Sequence, residues 1–526
     1  MNQQTQTRAF VLGLDGVPWY LIEQWVEAGE LEHFATLMAD GAAGSLDSTT
    51  PATTPLAWPS IATGVRPDKH SIYGFRRLTE NYTHQVYTGN DLQYPALWDM
   101  VSPALVGNVP MTYPAREIDG IIVAGMMTPQ IGPGFTYPPA FCDELVARIP
   151  EYRIALNWSQ YYNAKEQFLT DLGTLVHNRR ELMRLLMERE DWRLFFFVYT
   201  APDRLQHLIW DDDVLLAHYQ TLDDILGEVM AYTKERDATL YVVSDHGFGP
   251  VHKRVALNVL LEQEGLLEPR KQRGVRGALS RLGVTKDGVM GALGKVGIDE
   301  EMVVDYLPQS FTTQVAKQIP GDHPLFDVDY SQTTAFVYAL GEVYVNDTHR
   351  FLEGVVDPVE VPAVKRQVKA LFEAVTDPET GDQMVEVFDG DDLFPTDPDS
   401  PDLVVEPRPG YDISAALSGD IISPTKMAAN HLPEGIFFAW GADVQAGART
   451  REATVYDVAP TVLHGLGESI PEHTDGRVLA EIFTPDSTPG KTAVRTGTYA
   501  RNAAVATVSD DFTDVENRLR GLGYIE

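Results

Sequence analysis

The chain has 526 residues, 44% hydrophobic and 10% aromatic, enough apolar content for a large buried core. Its formal net charge of −35, from 76 acidic and 41 basic residues, excludes nucleic-acid polymers and anionic membranes as expected partners, since both need a basic face. A single cysteine, Cys142, excludes an internal disulfide and any cysteine-rich zinc cluster.

In chain order, Ala9 to Leu14 is a short apolar run ending in Asp15-Gly16, the pattern of a buried parallel strand with a polar residue at its carboxyl end. From Pro18, the spacing of Leu21, Ile22, Trp25, Phe34 and Leu37 predicts one amphipathic helix closed at Gly41. Thr54-Pro55 then heads a short helical run to Thr63. Proline suits the first turn, and the free N–H groups there attract an anion. A hydroxyl at such a place commonly serves as an N-cap.

Ala104 to Pro110 and Ile121 to Gly125 read as strands, and helix dominates from Pro139 to about Glu190. Leu194 to Thr200 (LFFFVYT) is a strongly buried strand, too short to span a bilayer. A helix over Val214 to Lys234 precedes the strand TLYVVSDHGFGP, Thr239 to Pro250. Residues 266–321 carry many basic residues and glycines without a clear strand, which reads as a helical insertion, either a lid or a surface excursion. Strands resume at Thr334 to Val345, Asp402 to Glu406 and Gly435 to Gly441, with helices at Val361 to Val375, Tyr456 to Gly465 and Val515 to Leu522.

Strand followed by helix predicts an α/β fold. The expected organisation is one catalytic α/β domain in two parts, 1–265 and 322–490, interrupted by the 266–321 insertion and followed by a tail over 491–526. The N-terminus, MNQQTQTRAF, lacks the basic-then-apolar pattern of a signal peptide, so a cytoplasmic protein is expected. Lysine is scarce, about a dozen of the 41 basic residues, and acidic residues are spread along the chain. Both features suit a halophilic protein, whose self-repulsion is screened by dense salt; an ordinary acidic cytosolic enzyme is the alternative.

Four segments place metal-ligating residue types beside buried strands, where α/β folds put their sites. Asp15 follows the first strand. Asp203 and His207 are spaced i,i+4, which sets them on one face of a helical turn. Asp245 and His246 follow TLYVVS, and His431 precedes GIFFAWG. Each is weak alone: a lone Asp at a strand end is usually a cap, and His431 reads equally as a loop residue. Together, three carboxylates, three imidazoles and one hydroxyl make two mixed oxygen/nitrogen sites of the kind that suit zinc. Two such ions about 4 Å apart form a clamp for in-line displacement at phosphorus.

On these residues the chain resembles the alkaline phosphatase superfamily, and within it the type I phosphodiesterase/nucleotide pyrophosphatase family. The resemblance rests on LDG (Leu14 to Gly16), Thr54-Pro55 with TGVRPDKHSI, DRLQH (Asp203 to His207), SDHGFGP (Ser244 to Pro250) and HLPEG at His431. It implies an α/β/α sandwich with a mostly parallel central sheet. It further implies one zinc held by Asp203, His207 and His431, and a second held by Asp15, Asp245 and His246, with Thr54 as nucleophile; manganese or iron would accept similar ligands. The implied reaction opens a phosphodiester or pyrophosphate bond of a nucleotide-like small molecule through a phosphothreonine.

The chain departs from the family where Leu56-Ala57-Trp58 stands for Pro-Asn-His, where Phe75 falls near a phosphate-binding Asn, and where Ala429 replaces a Gly. The first two bear on the substrate and leave the metal ligands untouched. Trp58 and Tyr113 are candidates to stack on an organic group, with core packing as the alternative for each. Sulfatases are excluded because Thr54-Pro55-Leu56-Ala57 lacks their C/S-x-P-x-R segment. A phosphomonoesterase of the same superfamily, or an inactive metal-binding scaffold, remain the other readings.

Overall fold

A computed structural model describes residues 7–270 and 327–502. The expected insertion beyond residue 270 and the expected C-terminal helix lie outside the described residues.

A nine-stranded sheet organises the chain. Its strands run, in spatial order, Ala448–Arg449, Ala42–Asp47, Glu434–Trp440, Ala238–Val243, Arg8–Leu14, Leu194–Tyr199, Ala104–Gly107, Gly120–Val123 and Thr136–Tyr137. The five strands from Ala238–Val243 to Gly120–Val123 are parallel to one another. Glu434–Trp440 is antiparallel to both its neighbours, and Thr136–Tyr137 closes the far edge antiparallel.

Side chains alternate across this sheet, as strand geometry requires. Phe10, Leu12, Phe195 and Phe197 enter one core, whereas Ala9, Val11, Phe196 and Val198 enter the other. Helices Trp19–Glu27, Glu32–Asp40, Lys165–Met187 and Asp212–Glu235 supply the first core; Thr54–Thr63 and Val458–Gly465 supply the second. The result is the α/β/α sandwich expected. A strand buried on both faces must be apolar throughout, which is why these runs stand out in the sequence.

Two helical expectations are corrected. The helix expected from Pro18 to Gly41 is two helices, because Gly29 takes φ +79° and ends the first. The helix expected over Pro139 to Glu190 is Ala140–Arg148 and Lys165–Met187, with a 3₁₀ turn at Trp158–Tyr161 between them. The Asn157 side chain accepts from Ser159 N at 3.2 Å and starts that turn.

The strand Gly247–Ala256 leaves the large sheet and pairs with Gly410–Ser414, Ile422–Pro424 and Ala429–Leu432. The last pairing is antiparallel and sets His431 opposite Phe248, so this histidine lies on a strand. A further antiparallel sheet runs Ala335–Val337, Glu342–Val345, Leu403–Pro407, Val385–Asp389, with its own core backed by helix Val361–Glu373. Among the described residues no helix is long and apolar enough to cross a membrane.

Candidate metal centre and its cavity

All six candidate ligands converge at the carboxyl ends of the parallel strands. Asp15 follows Arg8–Leu14, and its N–H donates to Tyr199 O at 3.0 Å. The next residue, Gly16, has φ +75°, and a Cβ there would meet the Phe248 ring at 2.9 Å. Only glycine fits that turn, and its N–H donates to Asp245 Oδ1 at 3.1 Å, tying the two carboxylate segments together. Asp203 and His207 lie on helix Ala201–Leu208, one turn apart as their spacing predicts. Asp245 and His246 follow Ala238–Val243 directly.

These residues form two groups. Asp203, His207 and His431 make one; Asp15, Asp245 and His246 make the other, and within each group the ligand atoms lie within 4.8 Å of one another. The groups abut, since the rings of His246 and His431 stack with centroids 3.8 Å apart.

The protonation pattern favours a cation. His207 Nδ1 is 3.3 Å from Ala429 O, His246 Nδ1 is 3.0 Å from Gly247 O, and His431 Nδ1 is 3.0 Å from Ala52 O. A carbonyl only accepts, so each Nδ1 carries the proton and each neutral ring offers its Nε2 lone pair inward. His207 Nε2 and His431 Nε2 then face each other at 3.1 Å, each 3.3 Å from Asp203 Oδ1. Three acceptors meeting this closely need a positive centre between them.

The carboxylates agree. Burial, then the neighbouring Asp245 and Asp203 charges, push Asp15 well above the usual range, while Trp58 and Arg204 oppose. Burial and Asp203 likewise raise Asp245. Burial would also raise Asp203, but His207 and His431 beside it override this and hold it well below the usual range. Burial, followed by the facing His431, lowers His246. Asp15 Oδ1 and Asp245 Oδ2 are buried with no hydrogen-bond donor among the described residues. Uncompensated oxygens of this kind fit a divalent ion.

Thr54 opens helix Thr54–Thr63, and its Oγ1 lies 3.3 Å from His246 Nε2. The N-cap position belongs to Thr53, and no side chain caps this helix. The Thr54 hydroxyl is therefore not engaged in the capping that the sequence made the common alternative.

Trp58 is fully buried, and its Nε1 donates to Asp15 Oδ2 at 3.0 Å. The ring seats against Gly13, where a Cβ would come within 2.4 Å of it. Tyr113 is partly buried against the first core. Neither residue lines the cavity beside the metal groups. That cavity, about 320 Å³, is lined by His207, His431, Trp158, Tyr338, Arg76 and Glu406 among others. Trp158, from the turn that interrupts the expected long helix, stacks on His207 at 4.9 Å. Sequence reasoning missed Trp158, Arg76 and Glu406, because nothing near them in the chain carries a ligand pattern.

Compared with curated proteins, the chain has no match. The model of the family described as "Type I phosphodiesterase / nucleotide pyrophosphatase" matches residues 9–432, a span that includes Thr54 and all six candidate ligands. With more than half of its length matched, the chain belongs to the type I phosphodiesterase/nucleotide pyrophosphatase family and is a metal-dependent phosphoric ester hydrolase.

Proposed function

We propose that the chain is a two-zinc phosphodiesterase acting on small nucleotide-like diesters or pyrophosphates, with Thr54 as its nucleophile. The observation that carries this reading is the Thr54 hydroxyl, 3.3 Å from His246 beside Asp15 and Asp245, and free of the N-cap position. Asp203, His207 and His431 would hold one ion; Asp15, Asp245 and His246 would hold the other, with Thr54 beside it. Manganese or iron would suit the same donors. When bound, the metals lower the pKa of the threonine hydroxyl and offset negative charge on the leaving oxygen.

The chain's own residues do the rest. Thr54 Oγ1 gives up its proton to water and attacks phosphorus; the bond to the leaving oxygen breaks and a phosphothreonine forms. Water then cleaves the phosphothreonine and regenerates the hydroxyl. The backbone carbonyls of Ala429, Gly247 and Ala52 keep each imidazole in the tautomer that faces the centre. Residues 266–321 are proposed as a segment inserted between the two parts of the catalytic domain, and a cytoplasmic setting in a salt-rich cell suits the acidic composition.

The test compares bis(p-nitrophenyl) phosphate with p-nitrophenyl phosphate on wild type, Thr54→Ala and Thr54→Ser. Thr54→Ala should lose several orders of magnitude in kcat with metal content retained, and Thr54→Ser should keep part of the rate. Faster hydrolysis of the monoester moves the chain to the phosphomonoesterase reading. An active Thr54→Ala removes the mechanism.

A further inference from the structure

The metal centre accounts for the histidines that line the cavity but not for a cation that lines it with them. Arg76 begins the short strand Arg76–Leu78 and is only 9% exposed. Among the described residues its side chain makes no ion pair and no hydrogen bond; the Tyr338 ring lies 5.8 Å from the guanidinium carbon. Arg76 lines the cavity beside His207 and His431. A guanidinium withdrawn from water and left without an anion is costly, and fixed sites of this kind are occupied by carboxylate or phosphoryl oxygens.

Among the described residues none of the neighbouring charges forms an ion pair with Arg76. Arg254, the other arginine of the cavity, already donates from Nε to Asp412 Oδ2 at 2.6 Å. Glu342 is buried near Arg76, but burial pushes its carboxyl well above the usual range, with the Tyr344 hydroxyl and Arg76 opposing, and its Oε1 has no hydrogen-bond donor among the described residues. In a chain of net charge −35, a buried arginine beside the reaction centre with no ion-pair partner among the described residues stands out.

We propose that Arg76 is the specificity-determining residue of a second anion subsite, which takes a carboxylate or phosphoryl group carried on the organic portion of the diester. The natural substrate then bears two anionic centres, one reacting beside Thr54 and one held by Arg76. This rests on the diesterase reading above.

The test uses p-nitrophenyl alkyl phosphates whose alkyl arm ends in a carboxylate, a phosphonate or a methyl group, over graded arm lengths. Wild type should favour an anionic arm of suitable length by at least about tenfold in kcat/KM, the size expected for a charge-assisted hydrogen bond. The gain should appear in KM, because the contact is made equally in the ground and transition states. Arg76→Gln should bring the ratio of anionic to methyl-ended substrate towards one, and Arg76→Lys should retain part of it. The carboxylate and phosphonate arms distinguish the two sources of the anion.

Equal wild-type rates on anionic and methyl-ended esters overturn the subsite while leaving the diesterase reading intact, whether or not Arg76→Gln folds. A preference that survives in Arg76→Gln overturns it as well. A defect confined to p-nitrophenyl phosphate would assign Arg76 to the reacting phosphoryl group and overturn the second site. Failure to cleave any diester overturns the diesterase reading and this proposal together.

Discussion

Glu406 and His431 are joined through the backbone of a single residue, Ala52. Ala52 N donates to Glu406 Oε1 at 3.0 Å, and His431 Nδ1 donates to Ala52 O at 3.0 Å. The carboxylate thus anchors the residue whose carbonyl orients a candidate metal ligand, an outer support of the kind that fixes ligand geometry.

This support carries a pH signature. Burial pushes Glu406 from 4.5 up to about 7; Glu386 adds to the shift, while the Ala52 N–H and Arg408 oppose it. A carboxyl raised on folding contributes stability that is complete below pH 4.5 and is lost as pH rises through about 7. Glu406→Gln keeps an acceptor for Ala52 N but cannot titrate. The melting temperature of the variant minus that of wild type should therefore increase as pH climbs through that window. Thermal melts of both proteins over the range check this, and a difference that does not change with pH would remove the assigned shift.

Trp58 offers a second outer-support test. Its Nε1 donates to the buried Asp15 Oδ2, so Trp58→Phe leaves a buried acceptor without its donor. The expected loss of stability is about 1–3 kcal/mol. Metal affinity at the Asp15 group should fall by about 10–100-fold. Urea unfolding reads the first quantity, and zinc titration against a competing chelator reads the second. Lower stability with unchanged metal affinity would leave Trp58 as a packing residue and nothing more.

What the sequence disclosed and what it hid follow from the same physics. Leu194–Tyr199 and Arg8–Leu14 are buried on both faces, so their apolar runs announce strands, and the ligands at their carboxyl ends could be picked out with them. Ala42–Asp47 (AAGSLD) has no such run; it is a strand because Glu434–Trp440 pairs with it, a tertiary fact that local propensity does not carry. The same holds for Ala429–Leu432, whose pairing with Gly247–Pro250 delivers His431 to the site. Gly29 interrupts an otherwise helical periodicity through one positive φ, which apolar spacing cannot reveal. Arg76, Trp158 and Glu406 meet at one cavity from segments far apart in the chain, and no spacing rule reaches across that distance.

Metal removal should change the sign of the pH response near the centre. In the metal-free protein Asp15 and Asp245 are raised by burial and then by neighbouring carboxylates, Asp245 and Asp203 for Asp15 and Asp203 for Asp245, so their stabilising contribution exists at low pH and disappears as pH rises through their folded values. Asp203, held low by its histidines once burial is overcome, works oppositely: its contribution is present above 3.8 and is lost only on acidification below that. Two raised carboxyls against one lowered one predict that chelated protein is destabilised at neutral pH. Added zinc should restore the melting temperature by ligand linkage, more strongly at pH 7 than at pH 5, because the raised Asp15 and Asp245 carboxyls must lose their protons to bind. Differential scanning calorimetry with and without chelator checks this. Equal melting temperatures for chelated and zinc-loaded protein at neutral pH would argue against the two-metal reading.

Salt response follows from the charge balance as a whole. The chain carries 35 more acidic than basic formal charges, and they are distributed along its length. Exposed ion pairs such as Arg148–Glu188 contribute little, so their weakening in salt is a minor loss. Repulsion among the unpaired carboxylates acts over the screening length, which shrinks from about 10 Å at 0.1 M to about 3 Å at 1 M. Relief of that repulsion should outweigh the lost pairs, and the melting temperature should rise steadily as KCl goes from low to molar concentration. Sucrose at matched osmolality separates charge screening from general solute exclusion, since it strengthens burial without screening. A melting temperature that is flat or falling in KCl, or that rises equally in sucrose, would leave the acidic composition without a stabilising role for salt.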